Sequence, residues 1–276
     1  MAPTEALPVT AIGPSALEGC LALSREAGWN QSAADWRLFL ERGTVFGIGG
    51  DRPVATGAIL PYAEGGFAWI GMVLVTTAMR GQGLGTRVLR HTLAVLDGMA
   101  LRPALDATPA GARIYRPLGF AAQLGLTRWR GPGGGNSPEG ARPATEADLP
   151  HMAALDAAAF GAPRAHLLRA LMRRAPALAF HEETGFVLGR DGDRATQIGP
   201  LVAPDEAVAL RLLDAALAAT PGEAIIDLAD RCTTLAQALR ARGFAPERPY
   251  TRMALGQAAP FGDPSRLVAV AGPELG

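Results

Sequence analysis

The chain has no lysine: all 26 of its basic residues are arginine, balanced by 26 carboxylates to a formal charge of +0. Without lysine there is no nucleotide-triphosphate loop, whose Gly-Lys-Ser/Thr end supplies the phosphate-binding ammonium. The balanced charge argues against nucleic acid as the main partner. Cysteine is nearly absent as well. Cys20 and Cys232 make no disulfide framework, and no cluster has metal-ligand spacing, so no metal is expected. The four histidines, at 91, 151, 166 and 181, are scattered and are assigned structural or surface places. No apolar run approaches the roughly 18 residues of a membrane span, and no signal peptide precedes the first elements. A soluble cytoplasmic protein without a membrane partner is the expectation.

What the chain does have is length and apolar content. At 276 residues and 49% hydrophobic, it has enough for two sizeable cores. Its most informative feature is Arg80-Gly81-Gln82-Gly83-Leu84-Gly85, between an apolar strand, Phe67 to Val75, and a helix from Leu84 to Leu96 with Leu84, Val88, Leu89, Leu93 and Leu96 at helical spacing. Glycines there let backbone N–H groups encircle an anion, and a helix N-terminus adds about half a positive charge. A dinucleotide fingerprint needs G-x-G-x-x-G, whereas Gly81, Gly83 and Gly85 give G-x-G-x-G. Asp106 lies near where a ribose-binding acid belongs, so that reading is weakened and stays open, as does a glycine turn with no ligand.

The next segment separates these readings. Pro103 to Ala107 reads as a short buried strand, followed by a helix carrying Tyr115-Arg116-Pro117-Leu118-Gly119-Phe120. Here the chain resembles the GCN5-related N-acetyltransferases (GNAT superfamily). Arg80, Gly83 and Gly85 match that family's pyrophosphate loop, Gln/Arg-x-x-Gly-x-Gly/Ala, and Tyr115, Leu118, Gly119 and Phe120 match its later Tyr-x-x-Leu-Gly-Phe. Thr108 stands where the family has an asparagine.

The resemblance implies acetyl-CoA as cosubstrate in a gap between two splayed parallel strands, those ending at Val75 and at Asp106. Main-chain groups of Val73, Leu74 and Val75 are then expected to pair with the pantetheine arm. Backbone N–H groups of Arg80, Gly81, Gln82, Gly83, Leu84, Gly85 and Thr86 are expected to hold the pyrophosphate. Tyr115 matches the general-acid position. For the proton acceptor the candidates are Asp106, Glu64 or a water chain. Cys20 has no histidine near it in sequence, so direct transfer is favoured over an acyl-enzyme.

The first half is read as a strand from Leu7 to Ile12, a helix from Ser15 to Ala27, and a second helix from Ala33 to Glu41 with Ser32 as its N-cap. Strands follow at 45–49 and 54–60, then the two above, and one from Leu124 to Arg130 that closes the domain. The Gly/Pro-rich stretch 131–140 reads as a linker.

Residues 141–256 repeat the pattern with the chemistry removed. A strand opens at Arg142 to Thr145 and a helix spans Glu146 to Phe160. Strands follow near Gly185–Gly189 and Thr196–Val202, then a helix from Asp205 to Ala218, the strand Ala224 to Leu228, and a helix ending before Gly243-Phe244. Ala203-Pro204-Asp205-Glu206 replaces the glycine loop, and Leu239 stands where the first half has Tyr115. Two carboxylates at that corner repel pyrophosphate. The stretch 257–276 is expected to pack back through Leu267 to Ala271.

The fold class is α/β, a mixed sheet flanked by helices in each of two tandem domains, 1–130 and 141–256. The arrangement resembles bacterial tandem GNAT proteins with a degenerate second domain of the acetyltransferase type 18 kind. It implies transfer to a small primary amine, with Trp29, Asn30 and Asp230 as acceptor contacts and Asp156, Arg164 and Asp227 as further polar candidates. A homodimer is left open. The alternatives are a non-catalytic acyl-CoA-binding regulator and a protein N-terminal or lysine acetyltransferase.

Overall fold

The computed structural model describes residues 7–136 and 139–276. Residues 1–6 of the first expected domain, and Ser137 and Pro138 of the expected linker, lie outside the described residues. The chain divides into two compact units, residues 1–104 with 192–194, and residues 105–191 with 195–276. The division falls after Ala104 and not at the glycine-rich stretch. Among the described residues no helix is long and apolar enough to cross a membrane.

The first unit runs β1 (Thr10–Ile12), α1 (Leu17–Glu26), α2 (Ala33–Arg42), β2 (Thr44–Ile48), β3 (Ala55–Tyr62), β4 (Phe67–Val75), α3 (Leu84–Gly98) and the start of β5 (Arg102–Ala107). Ser32 caps α2 as its sequence predicts, accepting from Ala34 N at 3.2 Å while Asp35 returns a bond to Ser32 N at 2.8 Å. Strands β2 to β4 form an antiparallel meander, and β1 pairs antiparallel with β2 across the two intervening helices. β4 pairs with β5 in parallel at Phe67↔Arg102, Ala68↔Pro103 and Trp69↔Ala104, and the pairing stops there. Just beyond, Met72 takes a left-handed conformation (φ 53°) and the β3 register shifts between Thr56 and Ala58. This is a β-bulge, and such bulges bend a strand and raise its twist. Thr56 Oγ1 fixes it by donating to Met72 O at 2.9 Å. The core is Trp36, Phe39, Ile48, Ile59, Phe67 and Trp69, closed by Leu84, Leu89 and Leu96 of α3.

The second unit begins with the end of β5 and continues through α4 (Pro109–Tyr115), β6 (Phe120–Pro132), β7 (Arg142–Pro143), α5 (Leu149–Phe160), α6 (Ala165–Arg174), β8 (Phe180–Glu182), β9 (Gly185–Arg190) and β10 (Thr196–Val202). α7 (Glu206–Ala218), β11 (Glu223–Ala229), α8 (Thr233–Ala241), β12 (Ala245–Leu255) and β13 (Leu267–Ala269) complete it. Its strands lie in the order β12-β6-β11-β13-β10-β9-β8-β7.

Three readings change. The strand expected at 124–130 extends over Phe120–Pro132, and both its edges pair with later strands, β11 and β12. Alternation marks a strand but does not name its partner. β12 was not anticipated, because Pro246 and Pro249 demote a strand reading. The register shift between Pro246 and Arg248 absorbs one of them. The helix expected from Glu146 begins at Leu149, since Asp148 instead closes a turn on Thr145 N and Oγ1, each at 2.8 Å.

Candidate active site

In the first unit, Gly81 and Gly83 both adopt φ +77°, and a Cβ built on either meets nothing within 4 Å. A left-handed backbone with open space before it suits glycine. No side chain caps α3, and its first turn carries no acidic residue. The orphan N–H groups of that turn are thus left for an outside anion, favoured by the helix dipole. Arg80 is exposed, and its Nε donates to Val75 O at 3.2 Å, tying the loop to the end of β4. Leu74 is buried, and Val73 and Val75 are partly exposed. These features fit a diphosphate.

The corresponding corner of the second unit does not. Asp205 caps α7, accepting from Ala207 N and Val208 N at 2.9 Å each, and Glu206 accepts from Leu235 N at 2.8 Å. Asp205 fills the α7 cradle from inside the chain, and Glu206 turns away to the first turn of α8. A second obstacle lies in the sheet. β10 and β11 pair in parallel at Thr196↔Ala224, Gln197↔Ile225 and Ile198↔Ile226, then part. β13 enters between them, pairing Ala269 with both Leu201 and Leu228. Gly199 permits this approach, since a Cβ on it would stand 2.0 Å from Val270 O. The chain's own strand occupies the notch.

Tyr115 ends α4, whose N-terminus is capped by Thr108 Oγ1, accepting from Gly111 N at 3.2 Å. The tyrosine ring lies 5.6 Å from that of Phe120, and burial raises its pKa to about 12. The hydroxyl has no hydrogen-bond partner among the described residues. Asp106 has a fully enclosed side chain whose oxygens each accept from Arg252, at 2.9 Å from Nε and from Nη2. Burial pushes its carboxyl upward, against the pull of Arg252. Glu64 is exposed on the turn between β3 and β4. Cys20 is buried in α1, and burial raises its thiol to about 12, so little thiolate forms near neutrality.

The acceptor candidates separate. Trp29 is half-buried. Asn30 is buried in the first unit, its Oδ1 accepting from Arg194 N at 3.0 Å and its carbonyl from Asp193 N at 2.8 Å. Asp230 is exposed at the end of β11, accepting from Thr127 Oγ1 at 2.7 Å. Asp156 is sealed in a two-bond ion pair with Arg164, at 2.7 and 3.0 Å, and Arg164 also holds the carbonyls of Leu275 and Gly276. Asp227 accepts from Arg128 at 2.8 Å twice and from Gln197 at 3.0 Å. Arg128, Tyr250 and Arg252 escaped sequence reasoning. Their one visible signal is period-2 spacing of large polar residues within strands, as in Tyr250-Thr251-Arg252.

The two halves share the acetyltransferase element order, one with an open helix N-terminus at α3 and one with that corner capped by Asp205. Residues 19–120 match the acetyltransferase (GNAT) family and residues 152–268 the acetyltransferase (GNAT) domain of type 18. The chain belongs to the GNAT acetyltransferases, as a tandem protein, and is an acyltransferase. Members of this family use acetyl-CoA. The chain is 26% identical over 249 residues to the uncharacterised N-acetyltransferase YitH of Bacillus subtilis, covering 83% of this chain and 84% of that protein. Its fold resembles a candidate acetyltransferase from Pyrococcus horikoshii (TM-score 0.82, 23% identity, 98% and 96% of the two chains). It also resembles a tandem GNAT protein of the clavulanic acid biosynthesis pathway (TM-score 0.60, 14% identity, 93% and 99%).

Proposed function

We propose that this acyltransferase acts in the cytoplasm and moves the acetyl group of acetyl-CoA directly onto a small primary amine. The observation that carries the reading is the contrast between two helix N-termini. α3 opens on left-handed glycines with no cap, whereas Asp205 fills the same corner at α7. One coenzyme site per chain follows.

Acetyl-CoA supplies the thioester: the amine nitrogen bonds to its carbonyl carbon, the carbon–sulfur bond breaks, and sulfur leaves as a thiolate. Loop residues 80–86 hold the diphosphate by main-chain N–H groups, a mode that needs no lysine. The edge of β4 from Val73 to Val75 receives the extended arm. Tyr115 donates toward the leaving sulfur. With its pKa at about 12 and an ordinary thiol near 8.5, full proton transfer from the tyrosine is uphill by roughly 3 units. Its contribution is therefore a hydrogen bond that stabilises the thiolate, and the amine's own proton passes to water. Asp106 is a positioning residue in this reading, because Arg252 already engages both oxygens. The high thiol pKa of Cys20 supports direct transfer. Trp29 is the acceptor-facing residue of the first unit, and Asn30 supports its turn.

Titration calorimetry of the full chain with acetyl-CoA tests the reading, followed by thiol release with a panel of amines. Saturable binding at one site and amine-dependent thiol release are expected. No binding, or two equal sites, ends it.

A further inference from the structure

The polar residues of the second unit gather on one face of its sheet. Directly opposed residues of antiparallel strands point to the same side, as do alternate residues along a strand. Asp227 on β11 lies opposite Arg128 on β6, and Arg128 lies opposite Arg248 on β12. Tyr250 lies opposite Leu126, two positions from Arg128, and so shares that face.

Arg128, Asp227 and Tyr250 are buried, at 5%, 0% and 7% exposure. Asp227 is fully engaged by Arg128 Nε and Nη2 and by Gln197 Nε2. Arg128 is not. Its Nη1 has no hydrogen-bond partner among the described residues, and neither has the hydroxyl of Tyr250, while both atoms keep contact with solvent. The two side chains are neighbours, with the guanidinium carbon 5.4 Å from the Tyr250 ring centroid. Arg248, which also donates to Glu247, stands 5.9 Å from the same ring.

Buried ion pairs stabilise a fold weakly, and buried polar groups are seldom left without partners. Here the two donor atoms sit on buried side chains but reach solvent, so water serves them in the free protein and a ligand with two acceptor oxygens can displace it. Both are donors. The guanidinium is a permanent cation, and burial raises the Tyr250 pKa so that the hydroxyl keeps its proton. One cationic and one neutral donor suit the two oxygens of a carboxylate.

We propose that Arg128 Nη1 and the Tyr250 hydroxyl form a carboxylate-binding site within the second unit, and that its ligand is a small carboxylate of the amino-acid class. The anion site rests on the geometry of Arg128 and Tyr250.

The test is calorimetry of the full chain with a series of L-amino acids and their N-acetyl products, set against the matching carboxamides, alongside a separate acetyl-CoA titration. Carboxylates are expected to bind at least tenfold more tightly than carboxamides. Tyr250→Phe should weaken carboxylate binding by roughly tenfold, about one hydrogen bond to a charged group, with acetyl-CoA affinity and thermal stability unchanged. The site is overturned if no carboxylate of the series binds, if carboxamides bind equally, or if Tyr250→Phe changes nothing. Carboxylate binding without acetyl-CoA binding supports the site and ends the acetyl-transfer reading. Acetyl-CoA binding without carboxylate preference does the reverse. The carboxamide comparison needs no variant, so a poorly folding mutant does not block it.

Discussion

Arg252 donates from Nε and Nη2 to the two oxygens of Asp106, at 2.9 Å each, and joins β12 to the end of β5. Asp106 precedes by two residues Thr108, the N-cap of the helix that ends in Tyr115. A residue from the far end of the chain thus fixes the approach to the proposed acid. Removing one partner of a buried pair strands a charge, so Arg252→Ala should cost about 3–5 kcal/mol of stability. The double change Arg252→Met with Asp106→Leu should recover most of it and still lower kcat. Denaturant unfolding and thiol-release kinetics read the two effects separately, and a double variant with full kcat would remove the positioning role.

Gly83→Asp should set a carboxylate at the open corner of the first unit, where the second unit has Asp205. Gly83 is left-handed (φ 77°) where Asp205 is extended (φ −151°), so the new carboxylate acts chiefly as a negative charge set at the diphosphate corner. Acetyl-CoA affinity should fall by roughly 100-fold or more, about the loss of two charge-assisted hydrogen bonds, and stability by about 1 kcal/mol for a side chain on a left-handed backbone. Titration calorimetry is the check. Unaltered affinity would place the diphosphate elsewhere.

Tyr115→Phe removes the donor and keeps the ring against Phe120. We expect kcat to fall by roughly 10- to 100-fold, the loss of one hydrogen bond to a charged group, while acetyl-CoA binding stays within about twofold. A parallel loss of both would make the tyrosine a packing residue.

The pH dependence has a definite sign. Burial raises Cys20 from 9.0 to about 12, Cys232 from 9.0 to about 11 and Tyr115 from 10.0 to about 12. Each is neutral when protonated and is harder to ionise in the folded chain than in the unfolded one. The stability they contribute is therefore complete below pH 9 and lost as pH rises through the folded values. Thermal midpoints should fall between pH 9 and 12, and Cys20→Ala should flatten that slope. Activity should show no loss from Tyr115 ionisation up to about pH 10, as its raised pKa dictates. A rate that declines with an apparent pKa of 8 to 9 would contradict the assigned donor.

Local signals were strong wherever one residue type answers one backbone demand. The glycine loop, the Ser32 cap and the run from Phe67 to Val75 were all legible, because left-handed turns, capping oxygens and buried strands each select particular residues. The replacement of that loop by Asp205 and Glu206 was legible for the same reason. The bulge at Met72 was not, since a methionine at φ 53° carries no compositional mark.

The amino-acid order settled the family, the contrast between an open glycine corner and one capped by Asp205, and most helices and strands, because these depend on neighbours a few residues apart. Three-dimensional pairing settled the rest. It set β6 between β11 and β12, drove β13 into the notch between β10 and β11 of the second unit, and joined Asp106 to Arg252 and Arg128 to Asp227 across long stretches of chain. Strand periodicity says which residues share a face, but it is indifferent to which strand arrives beside it. The partner is chosen by burial and hydrogen-bond closure over the whole fold.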